Sequence, residues 1–421
     1  MTGGGDELAE VFRRESGRCT ATLIRVLGDV DLAEDAVAEA FAIAADVWPQ
    51  TGLPPNPGAW ITTTARNRAI DRLRRESSRT DRYVAAHRLH ETDMDASSNP
   101  YRDELHELDQ LVDVVPDDQL RLMFLCCHPA LATDAQVALT LRLLGGLETP
   151  DIAAAFVVPE ATMAQRIVRA KRKLRDNHAP YRVPAAAELP DRLHAVLVAI
   201  SLVFTAGHTA PSGESLVRVD LSDEAIRLGR VLVELMPDEL EAVGLLALML
   251  LTDARRETRL DEHGRMVRLA DQDRSRWDRQ RIDEGHRLVR ACLRRNQPGM
   301  FQIQAAIAAV HTDAPTADAT AWDQIVALYD QLYALRPDAV VATNRAVAIG
   351  ELHGPHDALL ALDLVDGDAV ESYQPYHAAR AGVLARCGRT ADAVAAFDRA
   401  LALTDNPVER RFLEDERARL V

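Results

Sequence analysis

The sequence predicts an all-α protein with several domains, and three observations support this class. Aromatic residues make up only 5% of the 421 residues, fewer than sandwiches and barrels usually contain. Helical periodicity dominates the chain, with interruptions rich in Pro, Gly and Ser. Residues 346–364, with a turn at Gly354, resemble residues 381–401, with a turn at Gly388, at an offset of 34 residues (388 − 354). Chains this long usually exceed one core, since domains run about 100–200 residues.

The interruptions divide the chain into four segments. A helical block over 1–80 is followed by a polar stretch over 81–102, which we interpret as a flexible linker. A second helical block covers 103–180 and closes in a Pro-rich segment, and Ala/Leu-rich helices fill 190–421. We expect two small helical domains joined by a linker and a large C-terminal helical domain.

The distribution of charge is more informative than the net charge of −16, which by itself argues against a nucleic-acid partner. Between Arg66 and Arg88 lie eight arginines and three acidic residues, and between Glu160 and Arg175 lie six basic residues and one acidic residue. These two segments could contact DNA while the rest of the chain stays acidic.

Composition also predicts a cytoplasmic protein that does not bind membranes and holds no metal or cofactor. The first ten residues are polar, and the longest apolar stretch, near 245–251, is far shorter than the roughly 20 residues of a membrane span. The five cysteines form no CxxC pair, so we expect reduced, buried thiols.

The first informative helix covers about Asp31–Trp48. Val37, Phe41 and Ala44 align with Trp48 on an apolar face, and the opposite side is acidic. Such an acidic face can be a solvated surface or a binding surface for a basic partner, and the pattern alone leaves both open.

The next helix begins at Pro57-Gly58 and covers about 59–75. Its apolar positions are Ile61, Ala65, Ala69 and Leu73, while arginines and Asn67 occupy the other faces. Arginines beside an amide can hold a phosphate backbone while the amide reads a base, but a solvated basic face would have the same pattern.

Residues 139–175 have the pattern of a helix-turn-helix. A helix ends at Gly145-Gly146, Thr149-Pro150 begins a short helix, Val158-Pro159 ends it, and a basic helix covers 160–175. Met163, Ile167, Ala170 and Leu174 are predicted to face inward. An exposed basic stripe opposite them is typical of a recognition helix in the major groove.

The C-terminal domain contains further similarity, since Leu232–Asp238 resembles Leu332–Asp338, each a helix end followed by another helix. The 34-residue offset is the period of tetratricopeptide repeats. Such repeats form a concave protein-binding surface or an α-helical scaffold, and the sequence leaves both open.

Together these segments resemble the extracytoplasmic-function sigma factors of bacterial RNA polymerase. Residues 32–41 resemble the polymerase-binding helix of that family, residues 65–75 its −10 promoter helix, and residues 149–166 its −35 helix-turn-helix. The C-terminal extension resembles the subgroup with a tetratricopeptide-like domain. At Ala38 the sequence departs from the Gln that is frequent in the polymerase-binding motif.

The resemblance implies a non-enzymatic promoter-recognition subunit, with core RNA polymerase and promoter DNA as partners and an intramolecular or protein partner for the C-terminal domain. The implied polymerase-binding residues are Asp35, Glu39 and Phe41. The implied −10 residues are Arg66, Asn67, Arg68, Asp71, Arg72, Arg74 and Arg75. The implied −35 residues are Thr162, Gln165, Arg166, Arg169, Arg172 and Lys173.

Two other functions fit the residues less well. A transcriptional regulator with a ligand-sensing domain would not need the second basic helix over 66–75. An enzyme would need a convergent catalytic site. The Cys126-Cys127-His128 run lacks metal spacing, and we interpret the charged run Asp271–Asp278 as a salt-bridged surface or a contact between domains.

Overall fold

The computed structural model describes the backbone of residues 3–88, 116–156, 158–208 and 218–420. Within these ranges the protein consists of α-helices, short 3-10 turns and one isolated bridge between Leu260 and Met266, with no strand. The predicted all-α class is therefore confirmed. The chain forms two compact units, residues 1–154 with 158–199 and residues 155–157 with 200–421.

The first unit contains both segments that resemble sigma factors. Its helices are α1 (Gly3–Leu27), α2 (Val30–Thr51), α3 (Pro57–Arg88), α4 (Pro116–Cys126), α5 (Thr133–Leu143), α6 (Thr149–Ala155), α7 (Glu160–Asp176) and the first half of α8 (Leu189–His208). Helices α1, α2 and α3 pack on one another, α1 also contacts α4 and α5, and α5 contacts α7.

Local sequence determines how α2 and α3 begin and which faces they bury. The Asp29 carboxylate accepts the backbone N–H of Leu32 at 2.9 Å and caps α2. The apolar face predicted for α2 is buried, as are Ile61, Ala65 and Ala69 of α3. Helix α3 continues to Arg88, past the predicted start of the linker at 81, because this stretch contains no Gly or Pro. The remainder of that linker, 89–102, lies outside the described residues.

The α1–α3 block and the α4–α7 block are in close contact. A Cβ added at Gly17 of α1 would lie 2.6 Å from the carbonyl oxygen of Leu144, so only glycine permits this approach. The Tyr181 hydroxyl lies 2.7 Å from the carbonyl oxygen of Ala21 and 2.9 Å from that of Asp118. These contacts connect the two blocks on the side of α1.

The second unit is a succession of helices. They are the end of α8, then α9 (Val219–Leu235), α10 (Leu240–Asp253), α11 (Arg279–Arg295), α12 (Met300–Asp313), α13 (Trp322–Leu335), α14 (Ala339–His353), α15 (Pro355–Asp363), α16 (Gly367–Val370), α17 (Gln374–Arg386), α18 (Thr390–Ala402) and α19 (Pro407–Ala418). Helix α10 packs on α11 and α12, α14 on α15, and α17 on α18.

The predicted repeat features occur in this unit. Gly354 ends α14 and Gly388 lies between α17 and α18, with φ of 100° and 72°, values that favour glycine. Both predicted helix ends, at Leu235 and Leu335, are followed by a further helix. In the charged run Asp271–Asp278, four charged residues are exposed, as expected for a surface, whereas Arg274 and Trp277 are only 9% and 3% exposed.

Helix α8 crosses the predicted start of the C-terminal domain at 190, and the division between the units falls after residue 199. By length and composition α8 is the one helix among the described residues that could cross a membrane. Its residues Leu193, Leu197 and Ile200 are at most 5% exposed, as in a core helix of a globular protein.

Candidate nucleic-acid interface

Part of the acidic side of α2 faces solvent. Asp35 and Glu39 are exposed, as is Ala38 between them. Phe41 is 6% exposed, and its ring packs edge-to-face on Phe12 with centroids 4.7 Å apart. Of the three residues implied for polymerase binding, Asp35 and Glu39 are therefore exposed, while Phe41 belongs to the core.

The described part of α3 presents a mixed polar face. Asn67, Arg68 and Asp71 are exposed, and Arg66 and Arg72 are half-buried. An Arg72 nitrogen donates to Asp35 at 2.8 Å, so an implied DNA residue is paired with an implied polymerase residue. The side chains of Arg74 and Arg75 lie outside the described residues.

Helices α5, α6 and α7 have the arrangement predicted for a helix-turn-helix. The predicted inward set of α7 is buried: Met163, Ile167, Ala170 and Leu174. The opposite side exposes Thr162, Gln165, Arg169, Arg172 and Lys173. The exposed side of α7 lies opposite its apolar buried face, an arrangement typical of a helix that enters a groove of DNA.

Contacts within this surface hold some of its arginines in place. Half-buried Arg166 lies 3.5 Å from the carboxylate of Asp134 on α5. Arg169 donates to the Gln165 amide oxygen at 3.4 Å. These are weak, exposed contacts that DNA could replace.

The sequence did not predict an ionic cluster between α2 and the helix-turn-helix. Lys171 donates to Asp31 at 2.9 Å and also bonds to Glu34. Arg142 is paired with Glu34 as well, and Arg175 with Asp31. Burial opposes the charge on Lys171, but the carboxylates of Glu34 and Asp31 outweigh it and raise the pKa of the ammonium group.

This cluster divides α7 into two functional faces. Lys171 and Arg175, one helical turn apart, contact α2, whereas Lys173 between them is exposed. Sequence periodicity indicated that these basic residues lie outside the apolar face. It contained no signal for a partner about 140 residues away in the chain.

Four of the five cysteines are buried, as predicted, Cys126 and Cys127 among them, whereas Cys387 is half-buried. Burial raises the pKa of Cys127 to about 12, while a contact with Thr140 lowers it in part. The ring Nδ1 of His128 accepts the backbone N–H of Ala130 at 3.2 Å. Among the described residues, no group of three or more His, Cys, Asp or Glu is arranged to hold a metal ion.

Family models match the same two segments of the chain that resemble sigma factors in sequence. Residues 11–79 match the family model described as Sigma-70 region 2, residues 121–174 match Sigma-70, region 4, and residues 192–293 match a family of unknown function, DUF6596. The chain is 41% identical over 410 residues to an uncharacterized protein of Rhizobium meliloti (strain 1021), covering 97% of this chain and 94% of that protein.

Proposed function

Because this chain belongs to the sigma-70 family, whose regions 2 and 4 recognise promoters and initiate transcription, we propose that it is an extracytoplasmic-function sigma factor with a regulatory C-terminal domain. The observation that carries this proposal is the exposed stripe of α7, which lies opposite a fully buried face and follows a short helix and a sharp turn. This geometry suits insertion into a major groove.

In the proposed complex, α7 reads the −35 element. Gln165 and Arg166 contact base edges near the start of the helix, together with Thr162 and Arg169. Arg172 and Lys173 lie further along and hold phosphates, which fixes the register of the helix on the duplex.

The exposed face of α3 binds the −10 element. Asn67 has an amide that can pair with an unstacked base, and Arg68 beside it can neutralise a phosphate. Asp71 continues this face by one turn, and Arg74 and Arg75 belong to it through the family resemblance. Asp35 and Glu39 on α2 bind a basic surface of core RNA polymerase.

The C-terminal domain, of the tetratricopeptide-like subgroup, regulates activity or assembly through the first unit or through polymerase. A tethered domain acts at high local concentration, so even a weak contact would be occupied. The protein works in the cytoplasm, where its DNA and polymerase partners are, and catalysis of RNA synthesis belongs to the polymerase.

Polymerase binding through α2 can be tested with the double variant D35K/E39K. Reversing two exposed charges should leave the fold intact but weaken binding to purified core polymerase at least tenfold, because like charges then face the basic surface. Affinity is measured without DNA, by fluorescence anisotropy of a labelled chain.

Asp46→Lys is the matched control, since Asp46 is exposed on the same helix, further along the chain. It should retain nearly the wild-type affinity. Equal affinity of D35K/E39K and wild type would exclude Asp35 and Glu39 as the binding surface. Failure of the wild-type chain to bind core polymerase would favour an ordinary DNA-binding regulator.

A further inference from the structure

The C-terminal unit contains a cleft with an apolar wall and a half-buried arginine, features that a purely structural scaffold would not need. It has a volume of about 380 Å³ and is formed mainly by α10, α12, α13 and α14. Its apolar wall includes Leu251, Trp277, Ile307 and Leu332, each at most 6% exposed. This volume lies in the range of small-molecule sites.

Arg255 places a positive charge in this cleft. Among the residues that the structure describes, its side chain has no hydrogen bond or ion pair. Its neighbour Arg256, by contrast, donates to both Asp253 and Asp223 at 2.7 Å. Burial and the nearby Arg274 lower the pKa of Arg255, so its surroundings disfavour the charge that it carries.

Arg274 cannot neutralise this position, because its guanidinium is itself positive and is already engaged. It donates to the carbonyl oxygens of His311 and Ala314, both at 2.7 Å, and stacks over Trp277 at 4.8 Å. The carboxylate in the cleft, Asp338, accepts the backbone N–H of Val341 at 2.8 Å and pairs with Arg336. Among the described residues, no carboxylate therefore pairs with the guanidinium of Arg255.

The cleft is also lined by polar groups of His311 and Tyr329. Nδ1 of His311 is buried and has no partner among the described residues. Burial, Arg255 and Arg274 lower the pKa of His311 to about 4, so the ring is neutral near pH 7 and carries one N–H. Burial, with the nearby Tyr373, raises the pKa of Tyr329 to about 12, so its hydroxyl stays protonated and can donate.

We propose that this cleft binds a carboxylate carried on an apolar body, with Arg255 pairing with the carboxylate and the wall of Leu251, Trp277, Ile307 and Leu332 covering the apolar part. A carboxylate would neutralise Arg255, which a neutral ligand cannot do. It would also accept hydrogen bonds from the donors that line the cleft. The carboxylate could belong to a small organic acid or to the end of an apolar peptide. The idea that a ligand of this cleft regulates transcription rests on the proposed regulatory function, whereas the proposed binding does not.

Binding is tested on the full chain by isothermal titration calorimetry with octanoate, benzoate, inorganic phosphate, and a leucine-rich tetrapeptide with a free or an amidated C-terminus. The comparison uses Arg255→Gln and the matched control Arg294→Gln, an exposed arginine on α11 outside the cleft. We expect an organic acid or the free-ended peptide to bind wild type and R294Q, and R255Q to bind it at least tenfold more weakly.

The melting temperature without ligand gives a second measurement. R255Q should melt at or above the wild-type temperature, because the substitution removes a charge that has no partner among the described residues. A lower Tm for R255Q than for R294Q would make Arg255 a structural group and overturn the proposal. It would also be overturned if R255Q bound as well as wild type, if phosphate alone bound, or if wild type bound none of these probes.

The free-ended and amidated peptides show whether the bound carboxylate belongs to a peptide or to a small molecule. Binding of the free-ended but not the amidated peptide assigns the carboxylate to a chain end, and binding of octanoate or benzoate alone assigns it to a small molecule. Transcription with and without the bound probe is measured separately. Binding without an effect on transcription would contradict the regulatory proposal and leave the cleft assignment standing.

Discussion

Individual residues of α7 differ in what they can recognise, although all lie on one helix. Gln165 near the N-terminal end is exposed and has both donors and an acceptor, while Lys173 two turns later is a point charge. Amide side chains distinguish bases by paired hydrogen bonds, whereas an ammonium group attracts any phosphate. The two residues should therefore contribute to DNA binding in different ways.

We predict that Gln165→Ala changes preference at one −35 position and that Lys173→Ala weakens binding to all sequences alike. Loss of a base contact should cost about 1–3 kcal/mol of binding free energy at that position. Loss of a phosphate contact should reduce the slope of log K against log salt concentration by about one. Holoenzyme binding to a promoter library at two salt concentrations measures both. A uniform loss for Gln165→Ala would argue against base reading by this residue.

Residue chemistry also predicts low reactivity for the buried cysteines. Burial raises the pKa of Cys19 to about 12, with a small opposing effect of its hydrogen bond to Thr62. At neutral pH such a thiol is almost wholly protonated, and the thiolate is the nucleophile. The buried thiols therefore serve packing.

At the scale of helices, α2 and α7 are connected by charge. Glu34 and Lys171 are both mostly buried, with side-chain exposures of 17% and 13%, so removing one partner would leave the other charge buried and cost more than breaking an exposed ion pair. The contact holds α7, for which we propose −35 recognition, beside α2, for which we propose polymerase binding. Their names place the −10 and −35 elements about 25 base pairs apart, roughly 85 Å of B-form DNA. With the proposed roles, α7 on the −35 element and α3, packed on α2, on the −10 element, we expect the α2–α7 contact to break when both elements are bound.

We predict that Lys171→Glu opens the first unit. The substitution places a carboxylate next to Asp31 and Glu34, which should destabilise the contact by about 2 kcal/mol. Small-angle X-ray scattering of the free chain should give a larger radius of gyration, and affinity for core polymerase should rise as α2 is released.

Lys173→Glu makes the same charge change two residues away on the exposed face and should leave the radius of gyration unchanged. An equal expansion in both variants would point to a general effect of net charge. No expansion in either would mean that contacts such as Gly17 against Leu144 hold the blocks together without the ionic cluster.

At the scale of the whole molecule, more than half of the chain lies outside the two sigma regions. The structural division falls within α8, after residue 199, and Arg192 on that helix donates to the carbonyl oxygen of Phe124 in the first unit. A truncation at the sequence-predicted boundary near 184 would remove this contact. The test of the C-terminal domain therefore keeps α8 whole.

We predict that a chain ending at His208 still binds core polymerase but gives a different level of run-off transcription from the full-length chain. The reason is that a tethered regulatory domain acts on its own chain, so purified polymerase and promoter DNA are sufficient to reveal its loss. Identical transcription across promoters and salt concentrations would mean that the domain acts through a third component.

The sequence by itself determined the all-α class, the helices of both sigma regions and the faces that they bury. These features depend on local information: Met163, Ile167, Ala170 and Leu174 follow helical spacing, and Gly388 allows a backbone turn that other residues resist. Propensity and periodicity act over a few residues, so they can be interpreted without knowing the fold.

Only the tertiary structure decided which charges meet. Lys171 and Asp31 are 140 residues apart in the chain, and nothing in either local pattern specifies the other as its partner. In the same way, Arg255 and Arg256 are consecutive arginines that the sequence does not distinguish. In the structure Arg256 has two carboxylates beside it, whereas Arg255 faces a cleft. The state of a charged side chain depends on burial and on its neighbours in space, and the packing of distant helices determines both.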